Sequence, residues 1–203
     1  MKAGNFTPVR GFRALRWLAR QDGGMAAVEF ALILPILVVL WIGGVEMTQA
    51  LSVDRRLNNL ASAIGDLSAR SRQLLHSDID NIFNIAPGAM YPFCRDSANC
   101  QSKGLAMRVT AVDISAGGTA EVAWSRASGT TSYPDNQNVN NLVPETLRIP
   151  DSQIIMAEVY YTFTPAVGYV LTGSLDLDDR MFFVPRLTQY VKLCDNNEAN
   201  CKS

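Results

Sequence analysis

The strongest hydrophobic run in the chain extends from Met25 to Val45 and contains one charged residue, Glu29. At about 1.5 Å of rise per residue, a helix of this length spans roughly 30 Å, the thickness of one bilayer core. The run therefore predicts a transmembrane helix over residues 25–45. A cleavable secretory signal peptide is the alternative, but its apolar core is usually only about 7–15 residues long. The best small-x-small site here, Thr48-Gln49-Ala50, is weak.

Beyond this run, apolar residues recur at intervals of three and four, which predicts that the helix continues with one apolar face. The residues of this stripe are Val53, Leu57, Leu60, Ile64 and Leu67, with Leu74 resuming it after Ser71. No proline lies between Pro35 and Pro87. The pattern predicts one helix from about Met25 to about Leu75, kinked at Pro35 and softened at Gly43-Gly44.

In the C-terminal half the pattern changes to a period of two, which predicts strands. The predicted strands are residues 105–114, 121–126, 153–165 and 181–193, and the turn SAGGTA joins the first two. In the third strand, the residues expected to face the core are Ile155, Ala157, Val159, Tyr161 and Phe163. Pro185 cannot donate to a ladder, so the last strand is placed at an edge.

Between these elements the sequence predicts a short helix and a long loop. Ser77 or Asp78 is the candidate N-cap of the helix, and residues 127–150 form the loop, with one helical turn near Leu142. The predicted fold is α+β, with a long N-terminal transmembrane and amphipathic helix packed on a small antiparallel sheet. Its parts are a leader (1–24), a transmembrane helix (25–45), a helical continuation (46–76) and an α+β domain (77–203).

Charge is distributed unevenly along the chain and predicts its orientation. Residues 1–24 contain five basic residues and one acidic residue, whereas the remainder contains 13 basic and 18 acidic residues. The positive-inside rule then places the leader in the cytoplasm and everything after about residue 46 on the outer side of the membrane. The acidic domain has no basic stripe interleaved with aromatic residues, so no nucleic-acid partner is expected.

All four cysteines follow the hydrophobic run, on the side predicted to be oxidising. They are Cys94, Cys100, Cys194 and Cys201. Their spacing favours the local pairs Cys94–Cys100 and Cys194–Cys201, although three connectivities are possible. Zinc is a less favoured alternative because neither spacing is CxxC and no histidine is close in sequence.

Other candidate chemical sites have simpler structural interpretations. His76 with Asp78 and Asp80 could be drawn as a metal site, but the segment is more typical of a helix start. Two acidic segments could bind calcium and are more typical of solvated turns: Asp176, Asp178 and Asp179, and residues 195–200. The sequence has no GxSxG elbow and no Walker loop. We therefore predict no catalytic residues, no metal and no cofactor.

The N-terminal segment resembles the class III signal of type IV pilins and pseudopilins. The resemblance is carried by a basic leader ending in glycine, by MAAVEF and by the continuation EFALILP at residues 29–35. It is most similar to the TadE/TadF-type pseudopilins of the tight-adherence (Tad, Flp) pilus system. The segments VAWSRA (122–127) and EVYYTFTP (158–165) and the pair Pro185-Arg186 add to this similarity, which covers most of the chain.

The resemblance implies cleavage by a prepilin peptidase between Gly24 and Met25. Glu29 is then the fifth mature residue and Phe30 the sixth, and these two residues with Pro35 are the expected determinants of recognition and assembly. Cleavage after Gly23 is the alternative. The implied partners are the peptidase, other pilins that pack through the N-terminal helix, inner-membrane platform proteins and membrane lipid.

Glu29 also has a physical rationale as an assembly residue. A carboxylate near the start of a membrane span costs a few kcal/mol. Cleavage would free a cationic amine on Met25, and that amine can neutralise Glu29 of a neighbouring, staggered helix. The expected function is that of a non-enzymatic minor pilin in pilus assembly or initiation, adhesion and surface attachment. The alternatives are a membrane-anchored periplasmic binding domain outside the filament, for which Glu29 is a tolerated interfacial residue, and an exported enzyme.

Overall fold

The computed structural model describes residues 23–165, 168, 173–197 and 200–202, so all but the last two residues of the predicted leader lie outside it. The first element, α1, is a single helix over Gly23–Ala69 with Pro35 in its interior. It ends before the predicted Leu75 because Gln73–Leu75 forms a strand, β1. This strand pairs in parallel with Lys192–Cys194 near the C-terminus.

Short helices follow the first strand: α2 (His76–Phe83), α3 (Ala86–Met90) and α4 (Ser97–Ser102). The predicted N-cap of α2 is wrong by two or three positions, because the cap is Leu75. Asp78 is the third helical residue, and its carboxylate accepts a hydrogen bond from the Leu75 backbone N–H at 2.9 Å. Asp78 therefore stabilises the helix start from inside the first turn.

The remaining strands are β2 (Ala106–Ile114), β3 (Ala120–Ser128), β4 (Ser152–Phe163), β5 (Leu175–Phe183), β6 (Lys192–Cys194) and β7 (Cys201–Lys202). They form an antiparallel four-stranded sheet of order β3-β2-β4-β5 and a smaller sheet of order β1-β6-β7. The long N-terminal helix packed on antiparallel strands confirms the predicted α+β class.

The prediction for the last long strand is wrong. Residues 184–191 are not part of a strand, and the acidic segment predicted as a turn belongs to β5. The strand β5 pairs with β4, with Leu175 opposite Phe163 at one end and Phe183 opposite Ile155 at the other. Asp176 accepts a hydrogen bond from the Thr162 hydroxyl at 2.9 Å, which satisfies one of its oxygens at this edge of the sheet.

One face of the four-stranded sheet packs on the outer half of α1 and forms the main core. The predicted inward residues of β4 are all buried there, as are Val53, Leu57, Leu60 and Ile64 of the helix. Leu67, also predicted for this stripe, is exposed, and Ser68 is buried instead. At Gly65 the helix lies so close to the sheet that an added Cβ would meet the Phe183 ring at 2.4 Å.

The opposite face of the sheet carries a second apolar core beneath the loop that joins β3 to β4. This core contains Val112, Ile114, Ala120, Val122, Val139, Val143, Ile154 and Met156. The loop is held by a β-bridge between Glu121 and Asn138. Its 3-10 turn lies at Glu145–Leu147, slightly beyond the predicted position near Leu142.

The structure pairs Cys94 with Cys100 and Cys194 with Cys201, which is the local connectivity favoured by spacing. The first bridge ties the segment after α3 to α4, and both of its cysteines are buried. The second joins directly opposed residues of β6 and β7. Because β6 also pairs with β1, the C-terminal segment is fixed to the chain just after α1.

Candidate functional site

The first half of α1 is an apolar surface that no described part of the chain covers. None of its most apolar 18-residue window is buried. Large exposed side chains include Met25, Val28, Phe30, Leu32, Ile33, Ile36, Leu40 and Trp41. An isolated surface of this kind needs lipid or other apolar helices around it. The helix is long and apolar enough to serve as a single-pass membrane anchor.

The predicted processing and assembly residues lie together at the start of this helix. Gly24 is in the first turn of α1, and Met25, Glu29 and Phe30 are all exposed. Met25 and Glu29 are four positions apart, so they share one helix face and are separated by about 6 Å along the axis. Among the described residues, Glu29 forms no ion pair. Pro35 lies farther along the same helix.

The other end of the apolar run is marked by polar side chains that bond to the helix backbone. The Thr48 hydroxyl donates to the Gly44 carbonyl, and the Ser52 hydroxyl donates to the Thr48 carbonyl, each at 2.7 Å. Glu46, immediately after the run, is almost completely buried. Polar side chains therefore reappear within one turn of Val45, and two of them bond to the helix backbone.

The candidate metal residues are engaged in other contacts. The Asp78 carboxylate accepts from the Leu75 N–H at the start of α2, Asp80 forms an ion pair with Arg126 at 3.2 Å, and His76 lies 4.0 Å from Asp195. In the described part of the chain, no group of three or more His, Cys, Asp or Glu residues is close enough to hold a metal ion. The two disulfides lie in the C-terminal domain, apart from Glu29 in sequence and in element.

Sequence reasoning missed a buried ionic cluster on the face of the sheet opposite α1. Glu158 of β4 is 1% exposed, and its carboxylate accepts from Arg108 Nε at 2.8 Å and from Arg180 Nε at 2.9 Å. The Tyr160 hydroxyl donates to the same carboxylate at 3.0 Å. Arg108 also donates to the Thr131 carbonyl, and its guanidinium stacks 3.8 Å from the centre of the Tyr133 ring.

This cluster holds the β3–β4 loop to the sheet, because Thr131 and Tyr133 belong to that loop. Burial lowers the pKa of Arg108, but the attraction and hydrogen bond of Glu158 outweigh it and raise that pKa. Burial, followed by the charge of Glu158, raises the pKa of Tyr160. Arg108 therefore stays charged and Tyr160 neutral near pH 7, and the carboxylate is saturated with donors. This arrangement is structural and offers no free base for catalysis.

A signal for the cluster is present in the sequence. Arg108 is the only charged residue in the apolar stretch of 105–112, and Glu158 is the only one in 153–163. The strand register places these two residues directly opposite one another. Pairing the two strands in register before assigning their faces would have found the contact.

These features define an α+β protein whose long, exposed N-terminal apolar helix packs its second half on antiparallel strands. Residues 24–65 match the family model described as TadE-like protein. The resemblance to TadE-like proteins predicted from the sequence is confirmed for this segment. No curated protein matches the chain. No solved structure matches it either.

Proposed function

We propose that this chain is a minor pilin of a Tad-type pilus. It is anchored by one helix in the bacterial inner membrane, with the leader in the cytoplasm and the C-terminal domain in the periplasm. It takes part in pilus assembly or initiation and, through the pilus, in adhesion and surface attachment. The observation that carries the proposal is the uncovered apolar half of α1, which contains Glu29 and lies within the TadE-like segment.

Processing by a prepilin peptidase supplies the charge that assembly needs. The peptidase cuts after Gly24 and leaves a cationic amine on Met25. Glu29 of a neighbouring helix, staggered along the bundle axis, pairs with that amine in a low-dielectric environment where either charge alone is costly. The same cut removes the basic leader, whose repeated positive charge opposes bundling of the helices. The partners are therefore sister pilins along α1 and the inner-membrane platform that assembles them.

The first test is the N-terminus of the membrane-purified protein, measured by intact mass and by N-terminal sequencing. Cells with and without the prepilin peptidase are compared. We expect a mature chain that begins at Met25 only when the peptidase is present. A chain beginning at Gly24 would move the cut to Gly23, and one that retains Met1 would support an anchored binding domain outside the filament. A start near Leu51 would identify an ordinary signal peptide and contradict the proposal.

The second test is Glu29→Gln, which removes the charge and keeps the size of the side chain. Glu145→Gln, at an exposed position in the C-terminal domain, is the matched control. Cross-linking to sister pilins and the number of surface pili are measured after mass analysis verifies cleavage. We expect Glu29→Gln to be cleaved but to lose cross-linking and pili, while Glu145→Gln behaves as the unmodified protein. Normal assembly of Glu29→Gln would exclude the charge-pairing role.

A further inference from the structure

The loop Tyr91–Phe93, after α3, lies at the end of the domain nearest the apolar run. Farther from the run, Arg56 of α1 donates to the Ala89 carbonyl at 3.1 Å. From Ala89 the chain follows the helix toward the apolar run. Phe93 then lines a groove of about 570 Å³ formed with residues of α1: Leu40, Trp41, Gly44, Val45, Thr48, Gln49 and Ser52. The loop therefore reaches the level of the last residues of the predicted span.

The position of the loop is fixed by contacts on both sides. The Phe93 ring packs edge-on against Phe163 at the end of β4, with 6.4 Å between ring centres. Lys103 donates to the Phe93 carbonyl from the segment after α4. The disulfide Cys94–Cys100 joins the residue that follows the loop to α4. The loop is thus held at one level along α1.

The side chains at this level have the character of an interfacial belt. Tyr91 is 62% exposed and Trp41 is 71% exposed, although both are large aromatic residues. Lys103, whose ammonium group donates to the Phe93 carbonyl, is exposed as well. Tyrosine and tryptophan concentrate at the boundary between the acyl chains and the headgroups, and lysine places its charge toward the headgroups.

We propose that the loop Tyr91–Phe93 seats in the headgroup layer of the membrane and fixes the height and tilt of the domain above the bilayer. The occupant of the groove beside Phe93 is lipid, because the groove is continuous with the uncovered apolar surface of α1. Trp41 and Phe93 anchor this contact, and Lys103 lies at the level of the lipid phosphates. This inference rests on the membrane span of the proposed function.

The test uses the full-length protein in phosphatidylcholine vesicles at low protein density. All four cysteines are in disulfides, so a nitroxide label attaches only to an introduced cysteine under non-reducing conditions. Tyr91→Cys places the label in the loop. The matched control is Leu187→Cys, because Leu187 is 58% exposed and lies far from the apolar run. The neighbouring Arg186 N–H donates to the Ala69 carbonyl, at the other end of α1. Ile33→Cys reports on the span itself.

Collision of each label with oxygen, which partitions into lipid, is compared with collision with a water-soluble nickel chelate. We expect the oxygen-to-nickel ratio at position 91 to be several-fold higher than at 187 and lower than at 33. Equal ratios at 91 and 187, with 33 in lipid, would overturn this inference alone. An aqueous label at 33 would overturn the span and the proposed function with it. If nickel collisions at 91 rise when the protein is diluted further in lipid, a second copy covers the loop and the lipid proposal is wrong.

Discussion

Arg108 and Glu158 form an ion pair across β2 and β4 that is almost closed to solvent, with Arg108 Nε 2.8 Å from Glu158 Oε2. Arg180 approaches the same carboxylate from the neighbouring edge strand at 2.8 Å. One carboxylate thus compensates two guanidinium groups inside the domain. The stability of the sheet and the position of the β3–β4 loop both depend on this carboxylate.

Removing the carboxylate should be strongly destabilising. In Glu158→Ala, Arg108 remains buried without its counter-charge, and breaking a buried pair in this way costs about 3–5 kcal/mol. Denaturant unfolding of the full chain in detergent measures this loss. The loop carrying Thr131 and Tyr133 should also become more sensitive to protease, since both of its contacts with Arg108 are weakened.

A paired apolar replacement separates charge compensation from simple loss of packing. Arg108→Met with Glu158→Met should be less destabilising than Glu158→Ala alone, because no buried charge is left. Arg180→Ala should also be less destabilising than Glu158→Ala, because the Arg180 side chain is 33% exposed. Equal losses for all three variants would argue that the cluster contributes packing and not charge compensation.

Gly65 is predicted to be required where α1 meets the sheet. An added Cβ would lie 2.4 Å from Phe183 and 3.1 Å from Ala157, so Gly65→Ala must displace the ring. The clash should cost about 1–3 kcal/mol, partly offset by a gain of about 1 kcal/mol in helix propensity. Thermal unfolding of the full chain in detergent measures the net effect.

Gly44→Ala is the matched control in the same helix, because nothing lies within 4 Å of its added Cβ. It receives the same gain in propensity without the clash, so it should be neutral or stabilising. Phe183→Leu should partly restore Gly65→Ala by vacating the space occupied by the ring. If both alanine variants are equally stable, the close approach at Gly65 has no energetic consequence.

The sequence was sufficient to predict those elements in which a single hydrophobic periodicity dominates. The apolar stripe of α1 and the alternation in β4 identified the helix, the central strand and the faces that meet. It failed where pairing between distant segments decided the structure. Residues 73–75 continue a helical pattern but form a strand with 192–194, and this long-range contact overrides local periodicity. The acidic β5 was missed because an edge strand with one solvated side need not look apolar.

The candidate site divides in the same way. The start of α1 is a local motif, so Gly24, Met25 and Glu29 could be proposed as site residues from the sequence alone. The cluster around Glu158 depends on strand register, and the contact of Gly65 with Phe183 depends on the approach of two elements. Trp124 and Gln153 are a further case: they bond to the Val191 carbonyl and N–H, and neither contact has a signal in local sequence.

The two disulfides should respond differently to reductant. Both close short loops, and in the chain-entropy account each stabilises by about 2 kcal/mol. Cys94 and Cys100 are buried, whereas Cys201 is exposed. Mild reduction followed by alkylation and mass spectrometry should therefore label the Cys194–Cys201 pair first. Labelling of Cys94 before Cys201 would show that the main core opens more readily than the C-terminal hairpin.

Asp113 provides a test of pH dependence. It is half-buried near the end of β2, and burial raises the pKa of its carboxyl, although the hydrogen bond from Gln153 opposes this shift. The folded state therefore binds the proton more tightly than the unfolded chain. The ionised carboxylate opposes folding above the folded pKa, and this penalty is relieved as the pH falls through that pKa toward the ordinary value of an aspartate.

Asp113→Asn removes the charge and keeps an oxygen that accepts from Gln153. At pH 7 its Tm should be no lower than that of the unmodified chain and no more than about 2–4 °C higher. The difference should shrink as the pH is lowered toward 4, because the unmodified carboxyl becomes neutral as well. Asp54→Asn, at an exposed helical position, is the control and should change Tm little at either pH. A clear loss of stability for Asp113→Asn at pH 7 would mean that Gln153 stabilises the ionised carboxylate by more than burial penalises it.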